Sequence, residues 1–316
     1  MTRVTLLAGG VGGAKLAEGL AEIPEITLTV IGNVADDEEF HGLWVSPDID
    51  TMLYTLSDRV NRDQGWGLAD EGNRALEMLN CLGADTWMFL GDRDFGLHIY
   101  RTERLRRGDR PSDILADIVS KFDINSKILL PTEAKVQTRV LTDCGWLSFQ
   151  EYFVKERCKP DVLELRYDGL ESSKITPQAE QALKEAELIV IAPSNPLVSI
   201  LPILKIPGFY TALQETTAYI LAVSPLISGK ALKGPADRML TSLKYRADSV
   251  GVAHFYEDIA GYFLMDCSDR DLSGEVSKLG MTPYTTDILM PDLAGKVRLA
   301  HEILAIYKNE SRMDSK

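Results

Sequence analysis

Two acidic clusters near the start of the chain carry the residue types best suited to chemistry. Residues 36–39 read DDEE, and Asp48 and Asp50 follow in the segment SPDIDT. Carboxylates in such clusters can hold a divalent cation, and one of them can accept a proton from a reacting hydroxyl group. Each cluster also has a plainer interpretation, the first as a solvated acidic loop and the second as the N-cap of the helix that follows.

A glycine-rich loop precedes both acidic clusters. Residues 9–13 read GGVGG after an apolar stretch, and Lys15 follows within a helical pattern. Glycines let backbone N–H groups close on an anion, and a helix N-terminus adds its positive dipole end. The spacing is neither a usual GxGxxG fingerprint nor a P-loop, because Leu16 follows Lys15 where a P-loop has Ser or Thr. We interpret it as a nucleotide- or phosphate-binding loop, in which Lys15 is either a phosphate ligand or a solvated helix residue.

The position of the glycine loop next to the carboxylates indicates phosphoryl chemistry. Carboxylates would repel a bound phosphate unless a divalent cation lay between them. The four cysteines and four histidines show no metal-ligand spacing, so any metal is expected to be a hard cation held by oxygen atoms. Asp50 is the strongest single candidate for a metal ligand or a base.

Two further polar clusters follow apolar stretches. Residues 91–94 read GDRD with His98 four residues later, and residues 193–196 read PSNP. The first is also interpretable as a capped helix with a surface Asp–Arg pair, which contributes about 0–1 kcal/mol. The second offers Ser194 and Asn195 as donors and acceptors for a base or a phosphate, although such turns are common in ordinary loops.

The segments between these clusters predict an α/β fold that brings them together. Ligands of open parallel sheets bind beyond the carboxyl ends of the strands, which is where the polar clusters fall. Apolar runs predict parallel strands at residues 3–8, 26–33, 86–90, 188–192 and 219–223, and a weaker one at 263–265. Helical patterns lie at about residues 13–23, 50–60, 71–82 and 291–307.

The middle of the chain has a different pattern. A β-hairpin with a glycine turn is predicted at residues 136–142 and 146–149, between helical patterns at about 112–122 and 150–157. We therefore expect a Rossmann-like, doubly wound and mostly parallel sheet with a smaller inserted α+β lobe over about residues 100–180. This single domain covers residues 1–308, and a polar tail over residues 309–316 is the one place where disorder is expected.

Composition excludes several classes of protein. The chain has 316 residues, of which 45% are hydrophobic, and a formal net charge of −13. Binding to nucleic acid depends on Lys and Arg that meet phosphates, so it is not expected at this charge. No apolar run reaches the roughly 20 residues of a membrane span, and the N-terminus lacks a signal-peptide pattern. We expect a cytoplasmic protein that binds no membrane.

Together these segments resemble the 2-phospho-L-lactate transferase family, including its bacterial phosphoenolpyruvate transferase members, which make the deazaflavin coenzyme F420. Each motif alone is common, but the ordered set is specific and covers nearly the whole chain. The motifs include GGVGGAK at 9–15, NVADD at 33–37, SPDIDT at 46–51, GWG at 65–67, LGDRD at 90–94, FQE at 149–151, APSNP at 192–196 and GPA at 234–236.

The resemblance implies a homodimeric transferase with a Rossmann-like core and two small-molecule substrates. The donor would be a three-carbon acid, phospholactyl or enolpyruvyl, linked to guanosine diphosphate (GDP). The acceptor would be the terminal ribityl hydroxyl of the deazaflavin Fo, and GMP would be released. The residues expected to bind the nucleotide are Gly9, Gly10, Gly12, Gly13, Lys15, Asn33, Ser194 and Asn195.

The resemblance also implies a metal site and an acceptor site. The expected ligands of a Mg²⁺ ion are Asp36, Asp37 and Asp50, and the residues expected to contact the deazaflavin are Asp50, Phe89, Asp92 and His98. Many archaeal relatives have Lys where this chain has Phe89, so a stacking or packing role is expected there.

Catalysis by such a site would consist of positioning and charge neutralisation. The ion would neutralise the diphosphate and orient the hydroxyl, whose proton Asp50 or Asp48 would accept. Arg93 would stabilise charge or bind the three-carbon acid.

Two other functions stay open from the sequence alone. Relatives of this fold bind nucleotide sugars as regulators without known turnover, but SPDIDT and GDRD favour the transferase. A nicotinamide-dependent oxidoreductase is disfavoured, because the glycine frame is wrong and the acidic residues after the second strand form a doublet.

Overall fold

The computed structural model describes residues 1–314, and short apolar segments form its central strands. The strands are β1 Thr2–Ala8, β2 Ile26–Gly32, β3 Glu38–Phe40, β4 Leu43–Val45, β5 Lys127–Leu129, β6 Gln137–Thr142, β7 Gly145–Ser148, β8 Glu164–Asp168, β9 Leu188–Ile191, β10 Tyr219–Val223, β11 Leu226–Ile227, β12 Lys230–Ala231, β13 Tyr262–Asp266 and β14 Thr282–Thr286.

Helices connect the strands. The α-helices are α1 Gly10–Ala21, α2 Pro47–Leu56, α3 Arg74–Cys81, α4 Asp92–Arg106, α5 Pro111–Lys121, α6 Pro177–Glu185, α7 Leu201–Leu204, α8 Phe209–Glu215, α9 Ala236–Ser242, α10 Ser249–Ala253, α11 Ser273–Lys278 and α12 Leu293–Asp314. Single-turn π-helices lie at Glu151–Lys155 and Pro196–Ile200, and 3₁₀-helices at Leu170–Ser172 and Cys267–Leu272.

The central sheet has seven strands in the order β5-β2-β1-β9-β10-β13-β14, and every neighbouring pair is parallel. The chain therefore builds outward from β1 to one edge and then returns at β9 to build the other half. This is the winding of dinucleotide-binding folds, with its switch point between β1 and β9. The predicted Rossmann-like, doubly wound α/β fold is confirmed.

Alternate residues of the central strands pack into two apolar layers. Leu6 and Val30 belong to the layer that includes residues of α1, α2 and α12, whereas Leu7 and Ile31 belong to the opposite layer with Phe209 of α8. All four residues of β9 are buried. Burial on both faces is the reason that these strands are continuous apolar runs in the sequence.

One predicted strand is wrong. Residues 86–90 form irregular chain, and their apolar side chains pack against the short hairpin of β3 and β4 instead of joining the sheet. The rings of Trp87 and Phe40 meet edge to face with centroids 5.4 Å apart. The third strand of the sheet in chain order is β5, which has only three residues and was not predicted.

The predicted hairpin is present as β6 and β7, and β8 extends it to a three-stranded antiparallel sheet. The boundaries of an inserted lobe over residues 100–180 stay a prediction, since β5 of this range belongs to the central sheet. Helix α12 continues to Asp314, so residues 309–314 of the expected polar tail are helical. Residues 315–316 of that tail lie outside the described residues.

Between residues 1 and 314, no single helix is both long and apolar enough to cross a membrane. A pair of short helices, Pro196–Leu204 and Phe209–Glu215, reaches the required length and apolarity only when counted together, and it bends by 80°.

Candidate functional site

The carboxyl ends of β1 and β9 lie side by side, and two of the predicted polar loops meet there. The Ser194 hydroxyl donates to the Gly9 carbonyl at 2.7 Å and accepts from the Gly9 N–H at 3.3 Å. A Cβ atom on Gly13 would lie 3.1 Å from the same hydroxyl. The structure thus places the glycine loop against the loop after β9 at the switch point, where ligands bind in sheets of this winding.

Two features of its surroundings explain the glycines of this loop. At some of its positions the chain packs too closely to leave room for a Cβ atom, and at another the space beside the backbone is open. A Cβ atom on Gly9 would lie 2.6 Å from Asp48 Oδ2, and one on Gly12 would lie 2.3 Å from the Pro193 carbonyl oxygen. Gly10 differs, because its φ is +62° and nothing lies within 4 Å of where its Cβ would be. A backbone that is open at the first residue of α1 can be approached closely by an anion.

Asn33, directly after β2, links this loop to the acidic residues. Its Nδ2 donates to Asp48 Oδ2 at 3.0 Å and to the Val198 carbonyl at 3.2 Å, while its Oδ1 accepts from the Ala35 N–H at 3.0 Å. Asp48 also accepts from the Gly10 N–H. The side chain of Asn33 is therefore used to hold α2 and the loop after β9 together beneath the glycine loop.

Asp36 and Asp37 are buried, with exposed fractions of 5% and 7%, whereas Glu39 is exposed. Asp37 Oδ2 accepts from the Ser46 hydroxyl at 2.7 Å and from the Trp44 indole N–H at 3.1 Å. The Oδ1 atoms of Asp36 and Asp37 have no hydrogen-bond partner among the described residues. The interpretation as a solvated loop is therefore wrong for these two aspartates.

The environment of these carboxyl groups disfavours their charged forms. Burial raises the pKa of Asp37 to about 8 and that of Asp48 to about 6. Burial first, and then the charges of Asp48 and Asp37, raise the pKa of Asp36 well above its usual range. Desolvated like charges repel one another, so a cation bound here would lower all three pKa values.

Asp50 lies in the same region but has a cationic partner. Both of its carboxylate oxygens accept from the Arg101 guanidinium on α4, with 3.1 Å between Nη1 and Oδ2. His98 Nδ1 lies 3.7 Å from Asp50 Oδ2. Burial lowers the pKa of His98 to about 4, so this ring is neutral at pH 7. Ser46 occupies the N-cap position of α2, so neither Asp48 nor Asp50 is its N-cap.

The remaining predicted residues near the start of α4 have partners of their own. Asp92 accepts from the Ala75 N–H at 3.0 Å in the first turn of α3, and Arg93 donates to the Ala69 carbonyl at 3.0 Å. Phe89 is 45% exposed. The structure therefore brings His98 next to Asp50 but gives no contact that joins Asp92, Arg93 or Phe89 to the acidic residues.

Lys15 and Asn195 are likewise held by the chain. Lys15 Nζ donates to the Met290 carbonyl at 2.9 Å, and burial, followed by the charge of Lys233, lowers its pKa. Asn195 Oδ1 accepts from the Leu197 N–H at 3.0 Å and so caps the π-helix Pro196–Ile200. Their roles toward a nucleotide stay predictions.

The part of the chain that the structure describes contains no group of three or more His, Cys, Asp or Glu side chains that could hold a metal ion. Mg²⁺, however, is usually bound by only one or two carboxylates together with water and substrate phosphates. Asp36 and Asp37 fit such a site, because each has a buried oxygen without a partner. Asp50 fits it less well, because Arg101 engages both of its oxygens.

A parallel sheet with an open glycine loop at its switch point and buried carboxylates after β2 is the arrangement of an α/β protein whose ligands bind at the carboxyl ends of its strands. The chain belongs to the family described as 2-phospho-L-lactate transferase CofD, which matches residues 4–291. This confirms the resemblance inferred from the motifs. The family acts in coenzyme F420 biosynthesis, and the protein is accordingly an enzyme of the transferase class.

Named relatives align over nearly their whole length. A 2-phospho-L-lactate transferase of Methanococcoides burtonii is 34% identical over 305 residues, which cover 96% of this chain and 99% of the relative. A 2-phospho-L-lactate transferase of Methanopyrus kandleri is 37% identical over 310 residues, which cover 97% of this chain and 98% of the relative. A phosphoenolpyruvate transferase of Streptomyces coelicolor is 33% identical over 311 residues, which cover 96% of this chain and 98% of the relative.

The same fold occurs in a crystal structure of a UPF0052 family protein from Bacillus halodurans. The two structures superpose with a TM-score of 0.64 over 96% of this chain and 98% of the other, at 15% sequence identity. At this identity the comparison supports the fold alone.

Two residues that contact the predicted site, Arg101 and Trp44, were not predicted from the sequence. Arg101 follows His98 by three residues and Asp94 by seven, so helical spacing puts all three on one face of α4 and could have identified it. Asp94 accepts from the Tyr54 hydroxyl at 2.6 Å. Trp44 had no comparable signal, because the strand that carries it has only three residues.

Proposed function

We propose that the protein transfers a phospho-three-carbon-acid group, 2-phospholactyl or phosphoenolpyruvyl, from a GDP-activated donor to the ribityl hydroxyl of Fo, with release of GMP. Its family and the names of its relatives support the transferase class. The observation that carries the specific proposal is a set of four buried carboxylates, of which Asp48 lies against the open glycine loop, namely Asp36, Asp37, Asp48 and Asp50. An anionic donor can share this region with carboxylates only when a cation accompanies it.

Charge balance supports a divalent cation. Arg101 forms an ion pair with Asp50, and its charge also acts on Asp37. Asp36, Asp37 and Asp48 form no ion pair with a basic side chain among the described residues, and burial raises their pKa values. We propose that Asp36 and Asp37, each with a buried oxygen that has no partner among the described residues, would hold Mg²⁺ together with the donor phosphates. When bound, Mg²⁺ supplies charge neutralisation at the transferred phosphoryl group.

The chain then contributes positioning. The N-terminus of α1 receives the donor phosphates on the open side of Gly10, whose own N–H is already donated to Asp48. Asp48, held by Asn33 and by the Gly10 N–H, lies directly against this loop. Asp50 accepts the hydrogen bond of the incoming hydroxyl and takes its proton as the new oxygen–phosphorus bond forms. The bond between the transferred phosphorus and the bridging oxygen breaks, and that oxygen leaves with GMP.

The experiment is incubation of the protein with Fo, Mg²⁺ and either GDP-linked acid, followed by chromatography for GMP. Release of GMP that requires both Fo and Mg²⁺ is expected. Absence of Fo-dependent GMP with both donors, from protein that still binds GDP, would refute the transfer and leave a nucleotide-binding protein. The homodimer and the cytoplasmic location stay predictions, the first of which sedimentation velocity tests.

A further inference from the structure

The ion pair between Arg101 and Asp50 divides the four buried carboxylates into two kinds. Arg101 is 6% exposed and Asp50 is 4% exposed, so the pair is shielded from water. The guanidinium reaches both oxygens of Asp50, and its Nη1 also donates to the Trp44 carbonyl at 3.4 Å. In contrast, Asp36 and Asp37 each keep one oxygen without any partner among the described residues.

Such a two-pronged contact fixes the orientation of a carboxylate. The planar guanidinium presents parallel N–H groups to both oxygens, which the ammonium of a lysine cannot do. Each carboxylate oxygen still has a lone pair for one more donor. Asp50 therefore remains able to accept a hydrogen bond from a substrate hydroxyl, while its oxygens are poorly disposed to coordinate a cation next to a guanidinium.

We infer that Arg101 is a positioning residue that holds Asp50 as the acceptor for the ribityl hydroxyl of Fo and keeps it out of the metal site, an inference that rests on the proposed function. The neutral His98 beside both groups adds no second positive charge to the pair. Asp36 and Asp37 are then left to bind the metal, and Asp50, oriented by Arg101, binds the hydroxyl of the acceptor.

The test compares Arg101→Lys with wild type by calorimetric titration of two probes, Fo alone and GDP with Mg²⁺. The lysine variant keeps the positive charge but loses the two-pronged contact. Binding of Fo is expected to weaken at least about tenfold, while Mg²⁺-dependent binding of GDP stays within about twofold. The matched control is Arg106→Lys, the same exchange at an exposed residue of α4, and it is expected to leave both titrations unchanged.

Two results would overturn the inference. One is Fo binding by Arg101→Lys within about twofold of wild type, and the other is an equal loss of Fo and of Mg²⁺-dependent GDP binding, as expected if Asp50 is a metal ligand or if the pair only supports the fold. A wild-type protein that does not bind Fo at all would instead refute the proposed function itself.

A double-mutant cycle separates positioning from a general effect on folding. If Arg101 acts through Asp50, Arg101→Gln added to Asp50→Asn should change Fo binding by less than about twofold, although Arg101→Gln alone weakens it strongly. The double variant removes both charges of the Arg101–Asp50 pair, so it adds no new unpaired buried charge and is expected to fold. Additive losses would contradict the inference.

Discussion

At the scale of single residues, the account depends on carboxyl groups that the fold buries without hydrogen-bond partners for all their oxygens. A buried carboxylate oxygen without a partner costs free energy, so a protein retains one only where something else is gained. Asp36 and Asp37 each have such an oxygen, and the charge of Asp48, which lies against the glycine loop, acts on Asp36. Bound Mg²⁺ is the compensation that the account requires.

Replacement of Asp36 or Asp37 should therefore remove most of the stabilisation that Mg²⁺ and GDP give to the folded protein. In wild type, Mg²⁺ with GDP at about 100 times its dissociation constant should raise the free energy of unfolding by about 2.7 kcal/mol. Asp36→Asn and Asp37→Asn should lose most of this increase, measured by urea unfolding with and without the ligands. Glu39→Gln is the matched control, because Glu39 belongs to the same acidic cluster but is exposed. An undiminished increase in both aspartate variants would contradict the assignment.

The raised pKa of Asp37 predicts a dependence of stability on pH in the absence of metal. Burial raises this pKa from 3.8 to about 8, so the folded state binds a proton that the unfolded state releases over that range. The free energy of unfolding should therefore fall as the pH rises from about 4 to about 8, by about 1.4 kcal/mol per pH unit for this group.

Comparison with Asp37→Asn isolates this contribution, because other titrating groups are common to both proteins. The free energy of unfolding can be measured with urea in the presence of a chelator between about pH 6 and pH 8. Over this range it should fall more steeply with pH in wild type than in the variant, by about 1.4 kcal/mol per pH unit, which corresponds to one proton. Parallel slopes would show that Asp37 is already ionised in the folded, metal-free protein.

At the scale of elements, the strand-to-helix turn after β1 is the feature that positions the site. Gly12 and Gly96 are both helical glycines, but a Cβ atom on Gly12 would lie 2.3 Å from the Pro193 carbonyl oxygen, whereas one on Gly96 would meet nothing within 4 Å. The first glycine is thus required by the packing of α1 against the loop after β9, and the second is not required by packing.

Alanine substitutions should separate these two glycines. Gly12→Ala should lower the free energy of unfolding by about 1–3 kcal/mol and weaken GDP binding, because the loop after β9 must move. Gly96→Ala should raise the free energy of unfolding by about 0.5–1 kcal/mol, since alanine favours the helix and its Cβ has room. Thermal unfolding and GDP titration of both variants measure these effects. Destabilisation of equal size in the two variants would contradict the packing argument.

The elements that could be predicted from sequence were those with strong local patterns. The strands β1, β2, β9 and β10 are rich in buried apolar residues and end in polar or glycine-rich loops, so they were predicted almost to the residue. The run at residues 86–90 was misassigned because its apolar side chains pack on a hairpin that precedes it in sequence. The short strand β5 has too few residues for any pattern to appear.

The site itself was predictable in part for the same physical reason. Strand ends of a parallel sheet meet at one edge, so the proximity of Gly9 to Ser194 followed from the strand assignment. The burial of Asp36 and Asp37 could not be predicted from the strand assignment, because a run of acidic residues is usually solvated. The pairing of Asp50 with Arg101 depends on how α4 packs, which local sequence does not determine.

At the scale of the whole molecule, two halves of one sheet diverge at the switch point and leave a site between them. The first half contributes the glycine loop and the aspartates, and the second contributes the loop of Ser194. Helix α12 returns to the first half, where its Lys296 forms a buried ion pair with Glu18 of α1, with 2.5 Å between Nζ and Oε2. The last helix is thereby held against the helix whose N-terminus faces the site.

The central claim is that a divalent cation joins Asp36 and Asp37 to the phosphates of a guanine nucleotide at the glycine loop. Anomalous diffraction from a crystal soaked with Mn²⁺ and GDP tests it most directly. One Mn²⁺ peak is expected within coordination distance of the Oδ1 atoms of both aspartates and of a phosphate oxygen of GDP. Bound GDP with no anomalous peak at these two atoms would contradict it.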